Sequence, residues 1–73
     1  MDIKLKIGVR IKELRTALGL SQEAFAFKAG IDRTYVSDVE NGRRNISAEL
    51  LEKVITALEL SFAEFFSTKE FKK

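Results

Sequence analysis

Apolar positions in this chain recur at helical rather than strand spacing. Ile7, Ile11, Leu14 and Leu18 lie three or four residues apart, with Arg10, Lys12, Glu13 and Arg15 between them. That pattern predicts an amphipathic first helix with one core-facing stripe, stopped at Leu18-Gly19. The alternating stretch at residues 1–6 either frays or begins this helix. Ser21 is placed to cap a second helix through Gln22, Glu23, Ala24 and Phe25, and Gly30 supplies the residue at which that helix stops and the chain turns. Asp32 caps a third helix, Arg33 to about Glu40. Small side chains at Ala24, Ala26 and Ala29 permit close approach, while Phe25, Ile31, Val36 and Val39 face a shared interior.

Downstream, Ser47 opens a fourth helix whose Leu50, Leu51, Val54, Ile55 and Leu58 form a broad apolar stripe. Ser61-Phe62-Ala63-Glu64 has the spacing of a capping box, so a short fifth helix starts at Phe62. The expected fold is therefore all-α, five helices in one domain over residues 1–73, with 1–6 and 67–73 as ends free to fray. Phe62, Phe65, Phe66 and Phe71 bring more aromatic surface than a chain of this length readily hides. At least one of Phe62 and Phe66 is expected in the core. Leu60, Phe62, Phe65 and Phe66 are together expected at an interface between two copies of the chain.

Two short helices joined by a glycine turn form a helix-turn-helix signature, in which the second helix reads DNA. The polar positions left on that helix are Arg33, Thr34, Ser37 and Asp38. The loop that follows, Asn41-Gly42-Arg43-Arg44-Asn45, combines a turn-favouring pair with two adjacent arginines. It suits the grip of backbone phosphate or entry into a minor groove. On pattern alone, an αα-hairpin with a solvated polar face and a solvated loop fits the same residues.

Composition narrows the chemistry. The 73 residues are 45% hydrophobic and 33% charged, and histidine, cysteine and proline are absent. Disulfides, the usual zinc sites and histidine- or cysteine-based catalysis are thereby excluded. No apolar run approaches the roughly 20 residues of a membrane span, and the N-terminus lacks a signal-peptide core, so a cytoplasmic location is the default. The net charge is only +2, but it is polarised: residues 1–15 carry net +3 and residues 46–66 net −3. A local basic face contacts phosphate even on a nearly neutral chain.

These parts in this order resemble the phage repressor/Cro-like (XRE-type) helix-turn-helix family over roughly residues 7–66. The match is carried by Arg15, Leu18-Gly19-Leu20-Ser21-Gln22-Glu23, Ala26, Gly30-Ile31, Tyr35-Val36-Ser37 and Glu40-Asn41-Gly42-Arg43. Asp32 through Ser37 followed by Arg43-Arg44-Asn45-Ile46 is most similar to the controller proteins of restriction–modification systems. That resemblance implies a five-helix lambda-repressor-like domain acting as a homodimer on double-stranded operator DNA to regulate transcription.

It also implies roles for individual residues. Gln22 binds a phosphate at the start of helix 2. Arg33, Thr34 and Ser37 face base edges, with Asp38 on the same side of the helix; Arg43 and Arg44 contact backbone, and Tyr35 and Asn45 complete the DNA-binding set. Arg15 and Glu40 make a structural ion pair between helix 1 and the end of helix 3. Many family members carry glutamine where Arg33 stands, and arginine there favours guanine O6 and N7. No cofactor, metal, catalytic residue or small-molecule ligand is implied. A standalone repressor-like regulator, or an antitoxin or other protein-interaction module, uses the same fold. Three arginines beside one helix favour DNA over a pure interaction surface.

Overall fold

Five side-chain caps set the helix starts in the computed structural model, which describes residues 2–72. Helix α1 spans Ile3–Ala17, α2 Gln22–Ala29, α3 Arg33–Glu40, α4 Ala48–Ala57 and α5 Phe62–Phe65, followed by a 3₁₀ turn at Lys69–Phe71. Asp2, Ser21, Asp32, Ser47 and Ser61 each accept a hydrogen bond from a backbone N–H in the first turn of the following helix. Each such cap contributes about 1 kcal/mol. At Ser61 the box is reciprocal: its N–H donates to Glu64 Oε1 at 2.8 Å, and Ser61 Oγ accepts from the Glu64 N–H at 3.1 Å.

Ile11, Phe25, Val36, Val39, Val54, Ile55, Leu58 and Phe65 form the buried core, with Ile31, Leu51 and Phe66 packed on its margin. Two details depart from the pattern along the chain. Leu18, the C-cap of α1, is 44% exposed although it continues the apolar spacing, because it stands at the open end of the helix, past the last core contact of α1 at Leu14. Residues 3–6 are helix rather than fraying chain, since Asp2 accepts from Leu5 N at 3.1 Å. Met1 and Lys73 lie outside the described residues.

The C-terminal phenylalanines sort differently from the expectation of a shared dimer surface. Phe65 is fully enclosed within the chain, so it belongs to the core and not to an interface. Phe65 turns into the core from the last residue of α5, whereas Phe62, at its first residue, and Phe66, just past its end, sit farther out. Phe66 meets Phe65 edge-on at 4.9 Å between ring centroids and is half-buried; Phe62 remains 46% exposed. The region expected to fray also folds back: Phe71 packs edge-on against Phe66 at 4.9 Å.

Gly8 permits a close approach between α1 and α3. A Cβ there would collide with the carbonyl oxygen of Val39 and stand 2.7 Å from that of Glu40. The backbone of α1 therefore rests directly on the C-terminal end of α3, and no other residue type fits. Helix propensity alone would favour alanine at this position by about 1 kcal/mol. Overpacking against fixed backbone outweighs that gain, so Gly8→Ala should destabilise the fold by about 2 kcal/mol net. Urea unfolding checks this, and an unchanged or raised midpoint would show that α1 and α3 are not held at this distance.

Candidate nucleic-acid interface

The turn between α2 and α3 follows from one backbone conformation. Gly30 takes φ +71°, and the Ile31 N–H reaches back to the Ala26 carbonyl at 3.0 Å. A side chain at positive φ is costly, which is why the position suits glycine. The chain then needs only Ile31 and Asp32 before α3 begins, and Asp32 Oδ1 accepts from the Thr34 N–H at 2.7 Å. Arg33 and Thr34 are left exposed on the first turn of α3, with Ser37 and Asp38 half-buried one turn later. Arg15, Ser21, Gln22, Glu23 and Arg33 line one open concavity between the helix starts.

Behind this face, Arg15 and Glu40 are both buried and meet through two parallel bonds. Arg15 Nε donates to Glu40 Oε2 at 2.7 Å and Nη2 to Oε1 at 3.0 Å. Arg15 Nη1 donates to the Leu20 carbonyl at 2.8 Å, and Gln22 Nε2 to Glu40 Oε1 at 3.0 Å. The Glu40 hydrogen bond, and then its charge, hold the guanidinium above its ordinary range against the opposing pull of burial. One group of four residues thus joins the end of α1, the start of α2 and the end of α3. Gln22 commits one amide hydrogen to Glu40 and keeps the other for a partner.

The loop after α3 is tied to that helix. The Arg43 N–H donates to the Asp38 carbonyl at 2.9 Å, and Asn41 Nδ2 to the Ser37 carbonyl at 2.8 Å. Arg43 Nη2 lies 3.5 Å from Asp38 Oδ1 and Arg44 Nη2 3.7 Å from Oδ2. The Arg44 guanidinium stands 4.6 Å over the Tyr35 ring, a cation–π contact. Asn45 is exposed. Arg33, Thr34, Tyr35, Ser37, Asp38, Arg43, Arg44 and Asn45 therefore occupy α3 and its exit, while Leu60, Phe62 and Phe66 sit apart around α5.

Two basic residues were not singled out in the sequence. Lys4 lines a groove with Arg44 and Asn45, so α1 brings a further cation to the loop. Its signal was the basic N-terminal third of the chain, which names no single residue. Arg10 donates from Nε to the Phe65 carbonyl at 2.8 Å and from Nη2 to the Glu64 carbonyl at 3.0 Å, closing the end of α5. Nothing local to Arg10 signals a partner that far along the chain. Among the described residues no cluster of acidic side chains is arranged to hold a metal, and no helix is long and apolar enough to cross a membrane.

Known proteins share this fold. The helix-turn-helix family model matches residues 11–65. Control protein C.MunI of a Mycoplasma species is 46% identical over 70 residues, covering 94% of this chain and 95% of that protein. The restriction-modification controller protein C.AhdI from Aeromonas hydrophila matches with a TM-score of 0.82 at 51% identity, over 86% of this chain and 96% of that one. The controller protein C.Esp1396I, solved as a tetramer in complex with its natural 35 base-pair operator, matches over 100% of both chains with a TM-score of 0.87 and 37% identity.

Removing one partner of the Arg15–Glu40 pair strands the other charge inside the protein. Glu40→Ala should cost about 3 kcal/mol of folding free energy, measured by urea or thermal unfolding. A loss within about 0.5 kcal/mol would mean that the pair behaves as an exposed one.

Proposed function

This chain belongs to the helix-turn-helix family that includes the restriction–modification controller proteins, and from that premise we propose that it is a sequence-specific transcriptional regulator of a restriction–modification system. It acts as a homodimer on double-stranded operator DNA. The observation that carries this reading is the arrangement of α3. Arg33 and Thr34 stand free at its first turn and two arginines stand at its exit, on a fold held from behind by a buried ion pair. The end-to-end likeness to a controller protein solved on its operator supports it. In this reading the chain works in the cytoplasm as a DNA-binding protein rather than as an enzyme.

In this reading the N-terminal turn of α3 enters the major groove. Arg33 takes a guanine edge, with Thr34, Tyr35 and Ser37 along the same groove. Gln22, at the N-terminus of α2, binds a phosphate with its remaining amide hydrogen. Arg43, Arg44 and Asn45 hold the backbone beyond the helix. Two copies join through α5 and the residues beside it. Phe62 is the exposed anchor, with Leu60 and the outer edge of Phe66 around it, while Phe65 supports them from inside.

Base reading and phosphate holding separate in binding titrations against operator and scrambled duplexes at several salt concentrations. Arg33→Ala should lose roughly 1–3 kcal/mol on the operator and relax the preference at one base step. Arg43→Ala should weaken both duplexes alike and flatten the salt dependence by about one unit of slope. Equal weakening of both duplexes by Arg33→Ala would remove its base-reading role. Sedimentation should give a dimer at tens of micromolar, roughly, given that stable interfaces bury about 800 Å² per partner. Phe62→Ala should shift the population toward monomer, and a wild-type chain that sediments as monomer contradicts the assembly.

A further inference from the structure

Asp38 is the acid that touches both arginines of the loop. Its oxygens are divided between them, Oδ1 toward Arg43 at 3.5 Å and Oδ2 toward Arg44 at 3.7 Å. The other acid within α3, Glu40, is consumed inside the fold by Arg15 and Gln22. The backbone reinforces the arrangement, because the Arg43 N–H is bonded to the Asp38 carbonyl at 2.9 Å. Tyr35 adds a second wall for Arg44 at 4.6 Å.

These contacts are longer than the roughly 2.7–2.9 Å of a tight charge-assisted bond. Each arginine turns one nitrogen toward Asp38 and has further N–H donors to offer. The arginine side chains are 64% and 50% exposed, against 27% for Asp38. The carboxylate thus lies beneath two cations that remain accessible from outside. It aims them without using them up.

We propose that Asp38 is a positioning residue for DNA recognition: it orients Arg43 and Arg44 as a pair, and so makes their phosphate contacts dependent on register. The inference rests on the reading of α3 and its loop as the DNA face. Where a duplex presents two phosphates in the right places, both guanidiniums lie between Asp38 and the backbone and the carboxylate is screened. In any other register a phosphate meets the carboxylate directly and is repelled. Phosphate contacts by themselves carry no sequence information. Fixing their geometry to the helix that reads bases lets them contribute to specificity indirectly.

Asp38→Asn separates this role from its alternatives. The probes are a duplex spanning the DNA immediately upstream of the protein's own gene and a scrambled duplex of equal length. The variant should bind the scrambled duplex several-fold more tightly and gain less on the upstream duplex, so the ratio of affinities falls by roughly fivefold. Glu52→Gln, on the α2–α4 side, makes the same change in net charge, and equal effects from the two variants would overturn the proposal. In an Arg43→Ala, Arg44→Ala background, Asp38→Asn should leave the ratio unchanged. A fall there, or a loss confined to the upstream duplex with a changed preference at one base step, would make Asp38 a base reader acting alone.

The DNA-free protein supplies an independent measurement. Nε–H order parameters of Arg43 and Arg44 should drop in Asp38→Asn, and unchanged order overturns the positioning role. A wild-type chain that does not prefer the upstream duplex, with arginines that do loosen, would instead overturn the regulatory reading.

Discussion

The buried pair between Arg15 and Glu40 is the contact on which the placement of the recognition helix depends. Taking two charges out of water costs several kcal/mol per ion, and only near-complete hydrogen bonding recovers it. Here each of the three guanidinium nitrogens has an acceptor, and Glu40 also accepts from Gln22. The arrangement contributes little net stability over an apolar pair of similar size, but it is directional where apolar packing is not. It fixes the end of α1, the start of α2 and the end of α3 relative to one another. Gly8 completes the clamp by letting the α1 backbone rest on the carbonyls that close α3.

With its C-terminal end fixed, α3 presents its two ends to different tasks. Its first turn is capped by Asp32 and carries Arg33 and Thr34 outward. Its last turn holds the loop arginines close, through the Arg43 N–H bonded to the Asp38 carbonyl and through the Asp38 carboxylate between the two guanidiniums. The charge polarity of the chain agrees with this division. Lys4 on the basic α1 reaches the same groove as Arg44 and Asn45, while the apolar surface proposed to join two copies lies around α5, within the acidic stretch of residues 46–66.

Much of the fold was legible because local signals agree. A capping residue precedes each predicted helix after the first, and a glycine at positive φ ends α2 at the turn. What escaped was contact between segments distant in sequence. A glycine inside a helix pattern does not announce that another helix lies against it, so Gly8 passed unmarked. The surplus of phenylalanine was visible, but which ring turned inward was not: Phe65 is core, and Phe71 folds back onto Phe66 where a fraying end was expected. Arg33, Thr34, Ser37 and Asp38 are legible as the polar positions left on the second helix of the pair, and their positions on α3 follow from its cap. The tie between Asp38 and both loop arginines needed the three-dimensional path of the loop.

Footprinting on DNA taken from immediately upstream of the protein's own gene tests the account most directly. It predicts a protected segment with two related half-sites centred about one helical turn, or a multiple of it, apart. Contacts should alternate between guanine edges and flanking phosphates. A folded chain that leaves this DNA unprotected at micromolar concentration, or protects it no better than unrelated sequence, would contradict the account.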